Sequence, residues 1–472
     1  MKDLSKNYIN GQWVAWSGDT LDVFEAGTGE VIAKVPSSGR GEMEQAITAA
    51  DNAFESWSES TVEQRINVLK QLHAGLKERG KEIAETVCRE VGMPIKLATG
   101  IQAGLPAAVT ETYINMLPDF PFTEQSDNSE VQYAPMGVIG CITPWNYPLH
   151  QVILKVVPAI AAGCSIVLKP SEIAPMSAYI LAEILDGTDL PKGVFNMVCG
   201  LGQEVGDTLI KHPDVRMVSF TGSTRTGHLI AHAAADDFKR IALEMGGKSA
   251  SVILPDADLK AAVKGSINNC LLNSGQTCTA LTRMLVPADK HDEACELAAE
   301  VVAKMVPGNP LEETTRLGPL ASAQQRDKVL DYIRLGIDEG ATLVAGGAEK
   351  PDGVNPNGYF VSATVFGNVK PDSRIAQEEI FGPVLCIIPY QDEQDAIRIA
   401  NGTAYGLSGA VWSGDAAKAK AVASKLRTGQ VFVNGGAFNP LAPFGGFGHS
   451  GIGREFGKWG LEEFLEVRSL QL

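Results

Sequence analysis

The chain has 472 residues, 44% hydrophobic and 20% charged, the composition of an ordinary globular protein with ample core. Forty Lys/Arg against 56 Asp/Glu leave a net charge of −16, and no block of Lys/Arg interrupts it, which argues against nucleic acid as a partner. Eight cysteines are scattered without a Cys-x-x-Cys pair and seven histidines form no ligand-spaced cluster, so neither a metal site nor a disulfide framework is expected.

Taken in order, Met1-Lys2-Asp3-Leu4 shows no apolar signal core, and the protein is expected to be cytoplasmic. Residues 8–35 read as short strands, with Asn10-Gly11 between apolar residues as a hairpin signal. Residues 41–116 read as helices. Ala46, Ala49, Ala50, Ala53 and Trp57 keep one apolar face, and Val68, Leu69, Leu72, Leu76 and Ile83 continue it. Residues 117–135 are a polar excursion with Pro118 and Pro121, either a subunit contact or a surface loop.

From 138 to 254 strands and helices alternate. Strands are predicted at 138–143, 165–169, 194–198, 217–221 and 240–243, and helices at 149–162, 177–185, 202–211 and 227–235. Such alternation predicts a parallel sheet with helices on both faces, which binds nucleotides at the carboxyl ends of its strands. The longest uncharged apolar run, 156–168, is broken by Pro158 and Gly163 and is shorter than the ~20 residues that span a bilayer, so no membrane contact is expected. Residues 255–447 alternate again, with helices at 259–272, 291–305, 323–339 and 395–399 and strands at 342–345, 384–389 and 409–412. Residues 449–472 close with an amphipathic helix and a strand-like stretch at 466–470.

Chemistry gathers where these elements end. Cys278 follows Asn273-Ser274-Gly275-Gln276-Thr277; alone it reads as a small buried hydrophobe, in company as a nucleophile. Strand 138–143 runs into Pro144-Trp145-Asn146-Tyr147-Pro148, either a Pro-rich turn or a rigidly aimed amide for a developing oxyanion. Lys169 and Glu172 end the next strand, either solvated or gripping ribose hydroxyls. Gly222-Ser223 link a strand to a helix, an ordinary turn or a phosphate site. Glu244 ends a strand beside Gly246 and Gly247, as a surface carboxylate or a general base. Glu379 and Phe381, two apart, are either solvated or set beside a ribose and a nicotinamide ring.

The segments 144–148, 169–172, 220–227, 244–248, 275–278, 378–383 and 443–446, in this order, resemble the motif set of the NAD(P)-dependent aldehyde dehydrogenase superfamily. The resemblance runs from Tyr8-Ile9-Asn10-Gly11 to Gly451-Ile452-Gly453-Arg454-Glu455. It implies an α/β fold: a parallel Rossmann-like cofactor sheet, a second α/β catalytic domain and a small β oligomerisation element. The boundaries are 1–116 with 136–246, then 247–448, and 117–135 with 449–472. It implies Cys278 as nucleophile, Glu244 as general base and Asn146 as oxyanion donor. Cofactor contacts are implied for Ile142, Thr143, Trp145, Lys169, Glu172, Gly202, Phe220, Gly222, Ser223, Gly246, Glu379 and Phe381. Tyr147, Leu154, Phe438 and Phe444 fall near the substrate tunnel. Leu154 stands where many members carry an aromatic, and Met245 replaces a more frequent Leu. The expected reaction is oxidation of an aldehyde to the carboxylate, with NAD favoured over NADP, in a homodimer or homotetramer. Transfer of the thioester to coenzyme A, a cysteine hydrolase and a non-catalytic scaffold are the rival readings.

Overall fold

The computed structural model describes all 472 residues, and the predicted alternation resolves into two mainly parallel sheets. In the first, Arg240–Met245, Val215–Gly222, Val138–Ile142, Ser165–Lys169 and Phe195–Met197 lie side by side and parallel. The hairpin Lys6–Ile9 and Gln12–Ala15 adds an antiparallel edge, its turn made by Asn10 and Gly11 with φ 51 and 68. From Val138–Ile142 the chain builds outward through 165–169 to 195–197. It then returns to build the other side through 215–222 to 240–245. The order therefore reverses between Val138–Ile142 and Val215–Gly222, and a crevice opens at their carboxyl ends.

The second sheet orders Thr342–Ala345, Thr364–Gly367, Val384–Tyr390, Arg283–Pro287, Ala250–Ile253, Ser408–Trp412 and Gln430–Val433, all parallel except the first. Cys278 and Glu379–Phe381 lie just before strands of this sheet. Asn146, Gly222 and Glu244 lie at the ends of strands of the first. The amino ends of one sheet thus meet the carboxyl ends of the other.

Three strands of the second sheet carry no clear sequence signal: Ala250–Ile253, Thr364–Gly367 and Gln430–Val433. The predicted helix over 202–211 opens instead as a π-helical turn, Gly202–Gly206, before Asp207–Lys211.

Leu465–Gln471 pairs antiparallel with Ser129–Pro135, and Thr123–Ser126 completes a small separate sheet. Residues 449–472 do not act as one piece, however. Gly451–Ile452 hydrogen-bonds to Arg240–Met245 at the edge of the first sheet, because Gly451, at φ 147, brings its backbone against Leu243 and Glu244. Helix Pro148–Ala162 is buried along its whole length under the first sheet, at the centre of the largest apolar cluster. No helix is long and apolar enough to cross a membrane.

Candidate active site

The backbone before Cys278 is built for close approach. Asn273, Ser274 and Gly275 take φ of 52, 56 and 75 in succession. A Cβ on Gly275 would sit 2.0 Å from the Gly382 carbonyl oxygen, so only glycine lets this turn press against the 379–382 segment. Side chains lock the turn to the neighbouring strand end. Asn273 Nδ2 and Gln102 Nε2 each donate to the Asn146 carbonyl at 3.0 Å, and Asn146 Nδ2 donates to the Gln276 carbonyl at 3.0 Å. The Tyr147 hydroxyl and Thr277 Oγ1 share a hydrogen at 2.6 Å. Asn146 is thereby fixed beside the nucleophile turn, and one of its two amide hydrogens has no partner. Gln102, Asn273 and Gln276 were not singled out from sequence; an amide pointing at a backbone carbonyl leaves no spacing pattern.

Two cavities meet at Cys278. One, of about 180 Å³, is lined by Trp145, Asn146, Gly222, Ser223, Glu244, Gly246, Glu379 and Phe381, together with Thr221, Gln325 and Lys328. The other, of about 540 Å³ and mostly apolar, is lined by Tyr147, Leu154, Phe438 and Phe444, with Trp412, Phe432 and Phe456. Every residue that the resemblance assigns to substrate therefore faces the second cavity. Residues 147, 150, 151 and 154 form its stripe at helical spacing.

Burial, then the carboxylates of Glu379, Glu244 and Glu455, push the Cys278 thiol up to about 12. Glu244 is 4% exposed, neither carboxylate oxygen has a partner, and burial with the Glu455 charge holds it well above the usual carboxylate range. It is not a surface residue. Behind it lies a buried ion pair, Lys155 Nζ to Glu455 Oε1 at 2.8 Å. Glu455 is placed by two backbone hydrogen bonds with Phe444, 2.9 and 2.7 Å. Gly445, at φ 150, allows no Cβ, which would lie 2.7 Å from the Gly453 carbonyl oxygen and 2.8 Å from Glu244 Oε1.

Along the crevice, Gly222–Ser223 lead into helix Thr224–Ala235. The Ser223 hydroxyl caps only the Thr226 N–H, leaving the other N–H groups of the first turn for an anion. Thr143 and Thr221 carry buried hydroxyls without partners at the adjoining strand ends. Glu379 Oε1 accepts from the Gly247 N–H at 3.1 Å, and a Cβ on Gly246 would lie 2.0 Å from the same oxygen. Trp145 meets Phe381 edge-on at 5.4 Å, with Phe381 held at φ 60. One strand further, Lys169 Nζ bonds Glu172 Oε2 at 2.8 Å. Burial raises the Glu172 carboxyl, but the Lys169 charge, its hydrogen bond and a backbone hydrogen bond together outweigh it and leave Glu172 below its usual range. Ile142 and Phe220 pack together in the apolar layer behind the crevice. Gly202 is exposed at the start of its π turn and, like Lys169 and Glu172, lines neither cavity. The open helix terminus and the nearby Lys169–Glu172 pair suit a long anionic ligand with ribose hydroxyls.

The sequence profile of the aldehyde dehydrogenase family matches residues 13–470. A 3-succinoylsemialdehyde-pyridine dehydrogenase from a Pseudomonas species is 48% identical over 472 residues, covering all of this chain and 99% of that protein. Aldehyde dehydrogenase C from Pseudomonas syringae was solved as a cysteine-to-alanine mutant with NAD+ and octanal. It superposes with a TM-score of 0.98 at 43% identity, over 99% of this chain and 96% of that one. Mycobacterium tuberculosis aldehyde dehydrogenase complexed with NAD+ gives a TM-score of 0.97 at 38% identity, over 100% and 98% of the two chains.

Proposed function

Because the chain belongs to the aldehyde dehydrogenase family and oxidises an aldehyde to the carboxylate with NAD, we propose that Cys278, Glu244 and Asn146 carry the chemistry. The observation behind this reading is the meeting of an apolar cavity and a polar crevice at one thiol. The aldehyde lies in the apolar cavity with its carbonyl carbon at Cys278. The thiol passes its proton to water as the sulfur adds to the carbonyl carbon, the C=O pair moves to oxygen, and a thiohemiacetal oxyanion forms. The free N–H of Asn146 and the Cys278 backbone N–H hold the oxyanion, and the locked turn means that they need not reorganise as charge develops. NAD, when bound, supplies the acceptor for the hydride that leaves this carbon. A thioester on Cys278 remains. Glu244, deprotonated, takes a proton from water, the hydroxide adds to the thioester carbonyl, and the carbon–sulfur bond breaks to free the acid and the thiol. A partnerless carboxyl in a dry site has the raised affinity for protons that a general base requires.

In this reading the first sheet, residues 1–116 and 136–246, holds NAD. Thr143, Trp145, Gly222, Ser223, Gly246, Glu379 and Phe381 line or flank the crevice, and Lys169 with Glu172 meet the adenosine ribose. Residues 247–448 supply the nucleophile. The small sheet of Thr123–Ser126, Ser129–Pro135 and Leu465–Gln471 leaves one edge for a second copy of the chain. The named relatives turn over a pyridine-bearing semialdehyde and bind octanal, which fits a cavity lined by aromatic side chains. Cys278→Ala is expected to abolish NADH formation across an aldehyde panel while NAD still binds in calorimetry. Retained turnover would overturn the assignment.

A further inference from the structure

Helix Pro148–Ala162 is buried all round, yet it carries His150 and Gln151. Polar side chains in such a place are costly unless they find partners. Lys155 has Glu455. His150 and Gln151, 7% and 5% exposed, bond no protein group, and His150 Nδ1 and Gln151 Oε1 are sealed from solvent without a partner. Both residues line the apolar cavity, Gln151 where it meets the polar crevice, and the side-chain nitrogens that are not sealed are His150 Nε2 and Gln151 Nε2. Burial pushes His150 down to about 3, so the ring is neutral and carries one proton. With Nδ1 sealed, that proton belongs on Nε2, where an acceptor can reach it. Asn269 lines the same cavity. Its Oδ1 accepts from the Leu281 N–H at 2.9 Å, which commits the oxygen and leaves the NH2 group free.

We propose that Asn269, His150 and Gln151 form a donor cluster that selects aldehydes carrying an uncharged hydrogen-bond acceptor, a ketone or an aromatic ring nitrogen, in their chain. The proposal rests on the cavity being the aldehyde site that ends at Cys278. No charged residue lines the cavity, so a carboxylate or an ammonium on the substrate would be buried without a counter-charge. A plain alkanal fills the apolar walls but displaces water from three N–H groups and gives them nothing in return. An acceptor in the chain satisfies them.

The test compares octanal with the four eight-carbon aldehydes that bear one ketone, at carbon 4, 5, 6 or 7, by initial NADH formation. At least one keto isomer is expected to exceed octanal by tenfold or more in kcat/KM. The gain should appear mainly in KM, because the acceptor these groups bind, at carbon 4 or beyond, is not the reacting carbonyl. In Asn269→Leu, His150→Leu and Gln151→Met that ratio should fall towards one. Because the ratio is taken on one preparation, a partly inactive variant still reports it. NADH from octanal with all four keto isomers at or below it would overturn the donor cluster and leave the dehydrogenase reading standing. So would variants that keep the full preference. No NADH from any of the five aldehydes would overturn both.

Discussion

Lys155→Met should destabilise the protein and shift its catalytic pH profile together. The Lys155–Glu455 pair spans 2.8 Å with side chains 1% and 7% exposed. Desolvation of two charges nearly cancels their attraction, so the intact pair contributes little net stability. Removing one member is different: Glu455, whose Oε2 already lacks a partner, would be left as a lone buried carboxylate. The expected cost is about 3–5 kcal/mol. Glu455→Leu strands the ammonium and should cost about as much. The double variant Lys155→Met/Glu455→Leu strands nothing and should cost less than either single change. The pH profile separates the two singles by sign. Glu244 is raised first by burial and then by Glu455, and it is lowered by Lys155 and Arg454. Loss of Lys155 raises it further, so the base form appears only at higher pH and the acidic limb of kcat moves up. Glu455→Leu lowers it, and the limb moves down. Urea titrations and kcat measured across pH read both effects. A stability loss below about 1 kcal/mol from each single change, or limbs that move in one direction, would refute this reasoning.

Glu172 should make the enzyme prefer NAD to NADP by at least about tenfold in kcat/KM, a difference of ~1.4 kcal/mol. A 2′-phosphate at ~4 Å from that carboxylate costs about 4 kcal/mol at an effective dielectric of ~20, and the Lys169 contact at 2.8 Å offsets part of it. Glu172→Ser should narrow the gap, and equal use of both cofactors by the unmodified enzyme would contradict the placement. His150 is held near 3 in the folded chain against 6.5 when free, so only the unfolded state takes a proton between those values. Stability should fall as pH drops from about 6.5, by about 5 kcal/mol below pH ~3, and His150→Leu should flatten that slope in pH-dependent urea titrations. Leu465–Gln471 has one edge paired and one open, with Val467 and Leu470 exposed. Deleting residues 463–472 should lower the sedimentation coefficient, and unchanged sedimentation would count against assembly through this edge.

Much of the fold is legible in the sequence. The predicted strands at 138–143, 165–169 and 217–221 lie within a residue or two of those observed, because each is β-branched and bounded by Gly or Pro. The chemistry-bearing residues were legible as strand-end residues, and the order of their motifs pointed to one family. Three short strands of the second sheet were not, since four residues such as Ala250–Ile253 become a strand only by pairing with Arg283–Pro287 and Ser408–Trp412. The Asn146 clamp was equally hidden, because Gln102 and Asn273 meet it across 44 and 127 residues. Nor does spacing reveal Lys155 with Glu455, 300 residues apart.

Turnover runs through a thioester at Cys278 that Glu244 discharges. Glu244→Gln, mixed rapidly with NAD and a saturating aldehyde, tests it in a stopped-flow spectrometer with mass spectrometry of the quenched protein. The expected result is a burst of about one NADH per active site, a steady rate lower by orders of magnitude, and the acyl group's mass on the peptide that carries Cys278. A variant that turns over steadily without a burst, and whose Cys278 peptide stays unmodified, would contradict it.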